Sequence, residues 1–459
     1  MRHVVIMTMT ASVGLMALFI VDFADMFFLS LLGEVELAAA VGYAGTILFF
    51  NISICIGVTI GATAVVARAI GAGEMERARR LAASSLAFMA LVTVVIATLL
   101  IPLLGPALSI LGAEGRAHEL ALGYLRIIVP SMPLLGLGMC LSGILRARGD
   151  AKRAMYVTLA AGLTNAVLDP LFIFGFGLGI HGAALASVAS RVVLTAVGLW
   201  GAVTIHNMVA RPKLLWCRND VPLVAAIAIP AVLTNVATPV GNAYITASIA
   251  QFGDAPVAGW AIIGRLTPVA FAVIFALSGA VGPILAQNLG AMRLDRVKQT
   301  SFAAILFATL YVLAAWLILF FTSGWIIALF GVSEGAASLI ALFCTVVAGS
   351  FLFNAVLFVS NAAFNNLGYP KLSTAFNWGK ATIGTVPFVA VGAYFGGAGG
   401  VLIGQAVGAA VFGLAAGWAC YRIILTLEKT PPQRDGTFEP PRWQHAIWPF
   451  SSGKSASLG

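Results

Sequence analysis

Long apolar runs separated by short polar breaks fill almost the whole chain. Twelve runs can be read from the sequence, at roughly 4–32, 37–66, 81–111, 118–145, 154–176, 182–206, 222–252, 256–288, 300–330, 336–362, 371–395 and 398–427. An α-helix needs about 20 apolar residues to cross the hydrocarbon core of a bilayer, and every run reaches that length. The pattern therefore predicts an all-α integral membrane protein with twelve transmembrane helices.

The composition and the placement of charges support a membrane protein and exclude a soluble one. Of the 459 residues 60% are hydrophobic and only 9% are charged, whereas soluble domains carry about 25% charged residues. The net charge is +9, and fourteen Lys and Arg residues fall in the five loops on one side of the membrane against one or two on the other. Basic loops mark the cytoplasmic side. We therefore expect a multi-pass protein of the cell inner (plasma) membrane with both termini cytoplasmic, and no nucleic-acid partner.

The second half of the chain repeats the first at an offset near 219 residues. Residues 66–77 align with 285–296, 148–152 with 367–371, and 182–185 with 399–402. Each copy has an even number of helices, so both enter the membrane from the same side. This predicts two six-helix lobes related by a parallel internal repeat, the arrangement of a transporter with its substrate site between the lobes.

The predicted domains follow from this repeat. They are an N-terminal six-helix lobe at 1–206, a cytoplasmic inter-lobe loop at 207–221, a C-terminal six-helix lobe at 222–427 and a disordered cytoplasmic tail at 428–459. Glycine also recurs at every fourth residue from Gly392 to Gly408. Small residues at this spacing let helices approach closely, and we expect that packing to lie within the chain rather than in a dimer.

Three of the seventeen acidic residues fall well inside predicted helices: Asp22, Asp25 and Asp169. Each costs about 2.5–3.5 kcal/mol to insert, which favours a function such as carrying a proton or binding a small cation over a helix-packing hydrogen bond. Asn165 lies one turn before Asp169, and Pro170 frees a backbone carbonyl by interrupting the helix. Asp25, Asn165 and Asp169 together suit either Na⁺ binding or a shared proton. Asp22 either joins this site or points to a neighbouring groove.

No carboxylate occurs in the predicted helices of the second lobe, so the coupling ion is expected to bind in the N-terminal lobe alone. The intramembrane bases Arg191, Arg265 and Lys380 either contact an anionic substrate or an aspartate, or have structural roles. Polar residues of the seventh predicted helix are candidates for the substrate cavity: Asn235 and Asn242, with Thr234, Thr238, Tyr244 and Thr246 on the same helix. An aromatic residue of the first predicted helix, Phe23, is a further candidate. All five histidines lie at helix ends or in loops, which argues against an enzyme.

The chain resembles the multidrug and toxic compound extrusion (MATE) transporters over essentially all of residues 10–425. The resemblance is carried by five segments, at 21–33, 71–77, 124–127, 145–152 and, most specifically, 165–187. It looks most like the branch that contains the DNA-damage-inducible bacterial members. The resemblance places the family's coupling-cation site on Asp25, Asn165 and Asp169, adds Ser187 and the carbonyl of Ala183, and matches Tyr124 to a cavity tyrosine.

Two positions depart from the family pattern. Thr10 stands where many members have a proline, and the first helix contains no proline at all, which puts a proline-driven bend of that helix in doubt. The acidic residue that another branch carries on the seventh helix is also missing, in agreement with a site in the N-terminal lobe.

The function that these features predict is export of amphipathic or cationic organic compounds by alternating access, coupled to inward flow of H⁺ or Na⁺. No cofactor is expected, the partners are small organic substrates and the lipid bilayer, and we expect a monomer. The alternative is a flippase for lipid-linked saccharides with the same two-lobe plan, which usually places several arginines in its cavity. An intramembrane enzyme is disfavoured because no HExxH pattern occurs.

Overall fold

The computed structural model describes the backbone of residues 2–30, 35–211 and 214–429, and their side chains except those of residues 2–3, 18, 22–27, 29–30, 35, 38 and 214–215. Within these ranges the protein consists of helices joined by short turns, with no strand. The helices are α1 Arg2–Ser30, α2 Val35–Gly71, α3 Met75–Ile110, α4 Gly115–Ile128, α5 Met132–Arg148, α6 Ala151–Pro170, α7 Gly179–Leu199, α8 Leu214–Ala250, α9 Asp254–Ala270, α10 Ala272–Gly290, α11 Leu294–Phe330, α12 Glu334–Thr345, α13 Phe351–Leu367, α14 Pro370–Ala381 and α15 Val386–Lys429.

These helices reproduce the predicted twelve spans, several of which are broken into two pieces. The fourth span consists of α4 and α5, the eighth of α9 and α10, and the tenth of α12 and α13. Within the described part of the chain, eleven helical stretches are long and apolar enough to cross a membrane, and the last of them, Pro370–Lys429, has 60 residues. One crossing needs about 20 residues, so 60 residues are far more than a single span can use, and the chain reverses once within this stretch. It therefore holds two spans.

The reversal inside that stretch occurs at Gly396 and Gly397. Gly397 has φ +56° and ψ −143°, a conformation open essentially only to glycine. The helical arms before and after it run antiparallel and touch backbone to backbone. A methyl group on Gly400, Gly404 or Gly408 would overlap the main chain of Gly392, Phe388 or Gly384 respectively. The predicted intrachain role of the regularly spaced glycines is thus confirmed.

Backbone conformation confirms the internal repeat independently of the amino-acid identities. Left-handed residues occur at Gly73, Gly112 and Gly149 in the first half, and at Met292, Gly331 and Gly368 in the second. Each pair is separated by 219 residues, and each residue lies just after the end of a helix, where a left-handed residue satisfies the last carbonyls. The break between α4 and α5 at 129–131 likewise corresponds to the break between α12 and α13 at 346–350.

The chain divides into two units, which we call the N-terminal unit (Met9–Asn235) and the C-terminal unit (Met1–Thr8 with Val236–Gly459). The first half of α8 belongs to the N-terminal unit, where Gly57 and Gly61 of α2 lie directly against Val232 and Val224. The lobe boundaries that the sequence suggests at 206 and 222 stay predictions, and the predicted disordered tail lies outside the described residues apart from Glu428 and Lys429.

Candidate functional site

The candidate cation site is carried by α6, a helix with well-defined ends. At its start the Asp150 carboxylate caps the helix by accepting the Arg153 backbone N–H at 3.0 Å. At its end Pro170 has no N–H to donate, so the carbonyl of Ala166 loses its helical partner. The chain then continues through a π-helical turn, Leu171–Gly175. Such turns are frequent at functional sites, because they leave backbone groups available to a ligand.

The helix α7 is brought close to this interrupted end by glycines. Gly177 and Gly179 have φ of +66° and +53° and reverse the chain between the two helices. Gly182 then lies directly on the π-helical turn, where a methyl group would be 2.7 Å from the carbonyl carbon of Phe172. A side chain at position 182 would therefore push α7 away from the end of α6.

Asp169 and Asn165 are both buried on α6, and Asp169 is 0% exposed. The Nδ2 atom of Asn165 has no hydrogen-bond partner within the described part of the chain. Two contacts fix the register with α7: the Gly182 contact near Phe172, and the Ser190 hydroxyl, which donates to the Ala161 carbonyl at 2.8 Å. Asp169 and Asn165 lie between these contacts on α6. The two predicted residues of α7, Ala183 (buried) and Ser187 (half-buried), lie between the same contacts.

The backbone of α1 passes beside the same part of α6. A methyl group on Gly162 would be 3.5 Å from Val21, and the rings of Phe28 and Phe174 pack edge to face with centroids 6.2 Å apart. The α1 segment between Val21 and Phe28 therefore runs alongside Asn165 and Asp169. Its predicted site residues, Asp22, Phe23 and Asp25, have side chains outside the described residues, so their roles stay predictions.

Arg191 is held at the break between α4 and α5. Its guanidinium donates to the carbonyl of Ile128 at 3.0 Å and to the hydroxyl of Ser131 at 2.7 Å. Of the alternatives that the sequence left open for this residue, the structure supports satisfaction by a carbonyl. Tyr124, the predicted cavity tyrosine, packs nearby against the apolar cluster of Ile128, Met132 and Ala184.

The two asparagines predicted to line a cavity differ in their surroundings. The side chain of Asn235 is half-buried and donates to the Ala231 carbonyl of its own helix at 2.8 Å. Asn242 is exposed and lies two turns further along α8, in the C-terminal unit. Only Asn242 thus offers an exposed amide to a ligand.

One buried acid was missed by the sequence analysis. The pattern of apolar runs predicts that Asp220 belongs to the inter-lobe loop, but it lies inside α8 and is only 1% exposed. Its carboxylate accepts from the Arg80 guanidinium at 3.1 Å and from the Ser84 hydroxyl at 2.9 Å, both on α3. The only sequence signal was an aspartate bordering a long apolar run, so its partners, about 140 residues earlier in the chain, were not foreseeable. Asp220 anchors the start of α8.

A family model describes this arrangement. The MatE model matches the chain twice, at residues 11–171 and 230–391, and the two matches begin 219 residues apart. The chain belongs to the MatE family. The offset between the matches equals that of the left-handed residues, so the family unit is the internal repeat itself.

Relatives and solved structures agree with this assignment. The chain is 29% identical over 431 residues to a Shewanella oneidensis protein named FAD transporter, with 92% of this chain and 95% of that protein covered. It is 23% identical over 321 residues to the multidrug export protein MepA of Staphylococcus aureus, with 69% and 70% covered. Its fold matches that of the MATE transporter VcmN of Vibrio cholerae with a TM-score of 0.88 at 25% identity, covering 94% of this chain and 97% of VcmN.

Membership in the MatE family confirms the resemblance and the fold class predicted from the sequence. The protein is a multi-pass membrane transporter of small organic substrates rather than an enzyme, and members of this family use ion coupling and need no bound cofactor. The branch within the family, the coupling ion and the site residues stay predictions.

Proposed function

We propose that this MatE protein is an antiporter that exports organic compounds across the inner membrane in exchange for H⁺ or Na⁺. The observation that carries the proposal is Asp169, which is completely buried on α6 just before Pro170. A charged carboxylate inside a membrane protein is unfavourable unless a proton or a cation neutralises it. A site of this kind therefore takes up a cation when one is offered.

The proposed ion site consists of Asp169, Asn165, Asp25 and two positions of α7, the Ser187 hydroxyl and the Ala183 carbonyl. All of these groups offer oxygen atoms, which small hard cations prefer. With Na⁺ the oxygens act as ligands, and with H⁺ the carboxylates share the proton. The ion drives transport only by binding one lobe arrangement more tightly than the other.

The substrate expected from the sequence is an amphipathic or cationic compound, and the multidrug relative MepA supports this expectation. The Shewanella oneidensis relative, by its name, makes a dinucleotide such as FAD the second candidate. In both cases we propose a monomer with cytoplasmic termini, an orientation that rests on the basic loops.

Proteoliposomes provide the test. Efflux of ethidium and of FAD is measured with a pH gradient alone, a Na⁺ gradient alone, or neither. We expect one of the gradients to drive efflux of one of the compounds. The variant Asp169→Asn should lose gradient-driven efflux while reaching the membrane at the wild-type level, because an amide neither takes up a proton nor neutralises Na⁺.

The matched control is Asp254→Asn, which removes an exposed acid in the first turn of α9. This variant should transport like the wild type. Unchanged efflux in Asp169→Asn would rule out the site assignment, and a wild type that responds to neither gradient would rule out antiport.

A further inference from the structure

Arg265 and Lys380 lie in the middle of membrane spans of the C-terminal unit, and neither forms an ion pair with a carboxylate of the described residues. Arg265 is exposed on α9, and the Lys380 ammonium group on α14 donates to the Asn354 side-chain oxygen at 2.6 Å. In the described residues of this unit the acids are Asp254, Asp295, Glu334 and Glu428, and all four lie in the first or last turn of a helix. Among the described residues of this unit, therefore, no acid in the middle of a helix balances these two positive charges.

The register of α8 and α9 places Arg265 at a known depth. Trp260 of α9 donates its indole N–H to the Thr246 hydroxyl of α8 at 2.9 Å. The two helices are joined by residues 251–253 only, and such a short connection makes them antiparallel neighbours. Arg265 lies five residues after Trp260 on α9, and Gly241 lies five residues before Thr246 on α8. Because the two helices are antiparallel, both residues are displaced from the contact in the same spatial direction. Both are therefore about 7–8 Å from it and at the same depth.

Lys380 reaches this depth from another side of α8. The backbone of Gly241 lies against α14, where a methyl group on the glycine would be 3.5 Å from the Cα and the Cβ of Ala381. Lys380 is the preceding residue. Gly241 is nine residues from the end of α8, about 14 Å along the helix, which is close to the middle of a hydrocarbon core about 30 Å thick.

A polar stripe on α8 runs past the same level. Thr238, Asn242 and Thr246 recur at every fourth residue, and all three are exposed. Thr246 contacts α9 and Gly241 contacts α14. Asn242 is on the same helix face as Thr246 and directly follows Gly241 in the chain. An exposed arginine at mid-membrane depth is costly against lipid and is found facing a water-filled cavity. The polar stripe of α8 lies at the same depth as Arg265.

We propose that Arg265, Lys380 and Asn242 form an anion-binding site for the transported substrate, which is an organic anion carrying phosphate. The Arg265 guanidinium offers paired donors that match two phosphate oxygens. Lys380 adds a point charge and Asn242 an amide donor. The inference rests on the proposed transport function and specifies its substrate class. It also replaces the expectation of a cationic substrate.

The first experiment measures binding at equilibrium, without any ion gradient, so that its result does not depend on the proposed coupling. The purified full-length protein is placed in nanodiscs of zwitterionic lipid and titrated with FAD and with riboflavin, which has the same ring system but no phosphate. We expect saturable FAD binding and at least about tenfold weaker riboflavin binding. Both Arg265→Gln and Lys380→Gln should weaken FAD binding about tenfold or more and leave riboflavin binding unchanged.

The matched control is Lys371→Gln, which removes an exposed positive charge from the first turn of α14 and should bind FAD like the wild type. The conservative variant Arg265→Lys should recover part of the affinity, which shows that a weak glutamine variant has lost charge rather than structure. Equal FAD affinity in the wild type and in both glutamine variants would overturn the proposal.

A second experiment separates a soluble phosphate compound from a lipid phosphate. Decyl phosphate, with decyl maltoside as the uncharged comparison, competes against FAD and is also titrated alone. Binding of FAD with weak competition by decyl phosphate supports a soluble substrate. Tight binding of decyl phosphate that depends on Arg265 supports a lipid headgroup, as in a flippase. If the wild type binds neither phosphate compound, there is no anion site, whatever the outcome of the gradient experiments.

Discussion

Among the glycines of the described residues, Gly408 of α15 makes the closest approach to another main-chain segment, and it allows a sharp prediction. Gly408 packs so closely on the carbonyl of Gly384 that an added methyl group would overlap the oxygen. The change Gly408→Ala therefore forces the two arms of the hairpin apart. Neither a rotamer change nor movement of a side chain relieves the overlap, because the atoms that collide are main-chain atoms.

The size of the effect follows from two opposing terms. Overpacking a rigid contact costs about 1–3 kcal/mol, whereas replacing glycine by alanine within a helix stabilises it by about 0.5–1 kcal/mol. Gly324 supplies the matched control, because it is exposed within α11 and has no atom within 4 Å of an added methyl group. Since the helix-propensity term is common to Gly408→Ala and Gly324→Ala, the difference between them isolates the overpacking term, about 1–3 kcal/mol.

Thermal unfolding in detergent, followed by tryptophan fluorescence and by the fraction that stays monodisperse, provides the assay. Gly324→Ala should melt at or above the wild-type temperature, and Gly408→Ala clearly below it. Gly404→Ala, which meets the Phe388 carbonyl, should behave like Gly408→Ala. If Gly408→Ala and Gly324→Ala melt together, the antiparallel packing of the two arms is wrong.

Two further predictions concern the turns between helices. Met292 has φ +57°, and its counterpart in the repeat is Gly73. This left-handed conformation costs a residue with a side chain about 1–2 kcal/mol, so Met292→Gly should unfold at or above the wild-type temperature and Gly73→Met below it. The opposite order of melting temperatures would contradict the proposed strain at Met292. Burial raises the pKa of Asp150, but hydrogen bonds from the Arg153 backbone and guanidinium and from His206 outweigh it and hold that pKa below its ordinary value. A lowered pKa stabilises the folded state above the ordinary carboxyl pKa of about 3.9 and loses this effect as the pH falls through the folded value. Asp150→Asn should thus lower the melting temperature at pH 7, and the difference in melting temperature between this variant and the wild type should shrink below pH 4. A difference in melting temperature that does not depend on pH would show that Asp150 acts without its charge.

The apolar runs predicted the membrane-spanning helices well because each span must bury its own backbone in lipid, a requirement that is local in sequence. The breaks within spans were harder to predict. Pro130 lies at the break between α4 and α5, but the corresponding break at 346–350 has no proline. Asp220 illustrates the same limit, since its burial depends on Arg80 and Ser84 of a distant helix. Interactions between distant segments are set by packing, which a single sequence does not display.

For the candidate site, the pairing of Asn165 with Asp169 could be predicted from helical spacing alone. The approach of α7 could not, because it depends on the absence of a side chain at Gly182, and the sequence marks that glycine as part of the repeat without showing that it contacts Phe172. The anion site was equally hidden. Arg265, Lys380 and Asn242 are far apart in the chain, and their common depth becomes visible only through the Trp260 and Gly241 contacts.

The two halves of the repeat share backbone conformation but not charge, and this separates folding from chemistry. The left-handed turn is kept even where Met292 replaces Gly73, so the fold requires that turn in both copies. At the offset of 219 residues, Arg265 corresponds to Thr46 and Lys380 to Ala161, and at the offset of 217 that aligns 182–185 with 399–402, Arg191 corresponds to Gly408. The N-terminal copy of the repeat forms the same turns with neutral residues at the positions of Arg265 and Lys380. We therefore expect that the C-terminal copy does not need these two charges in order to fold. Neutral substitutions at Arg265 and Lys380 should therefore change what is bound more than they change stability.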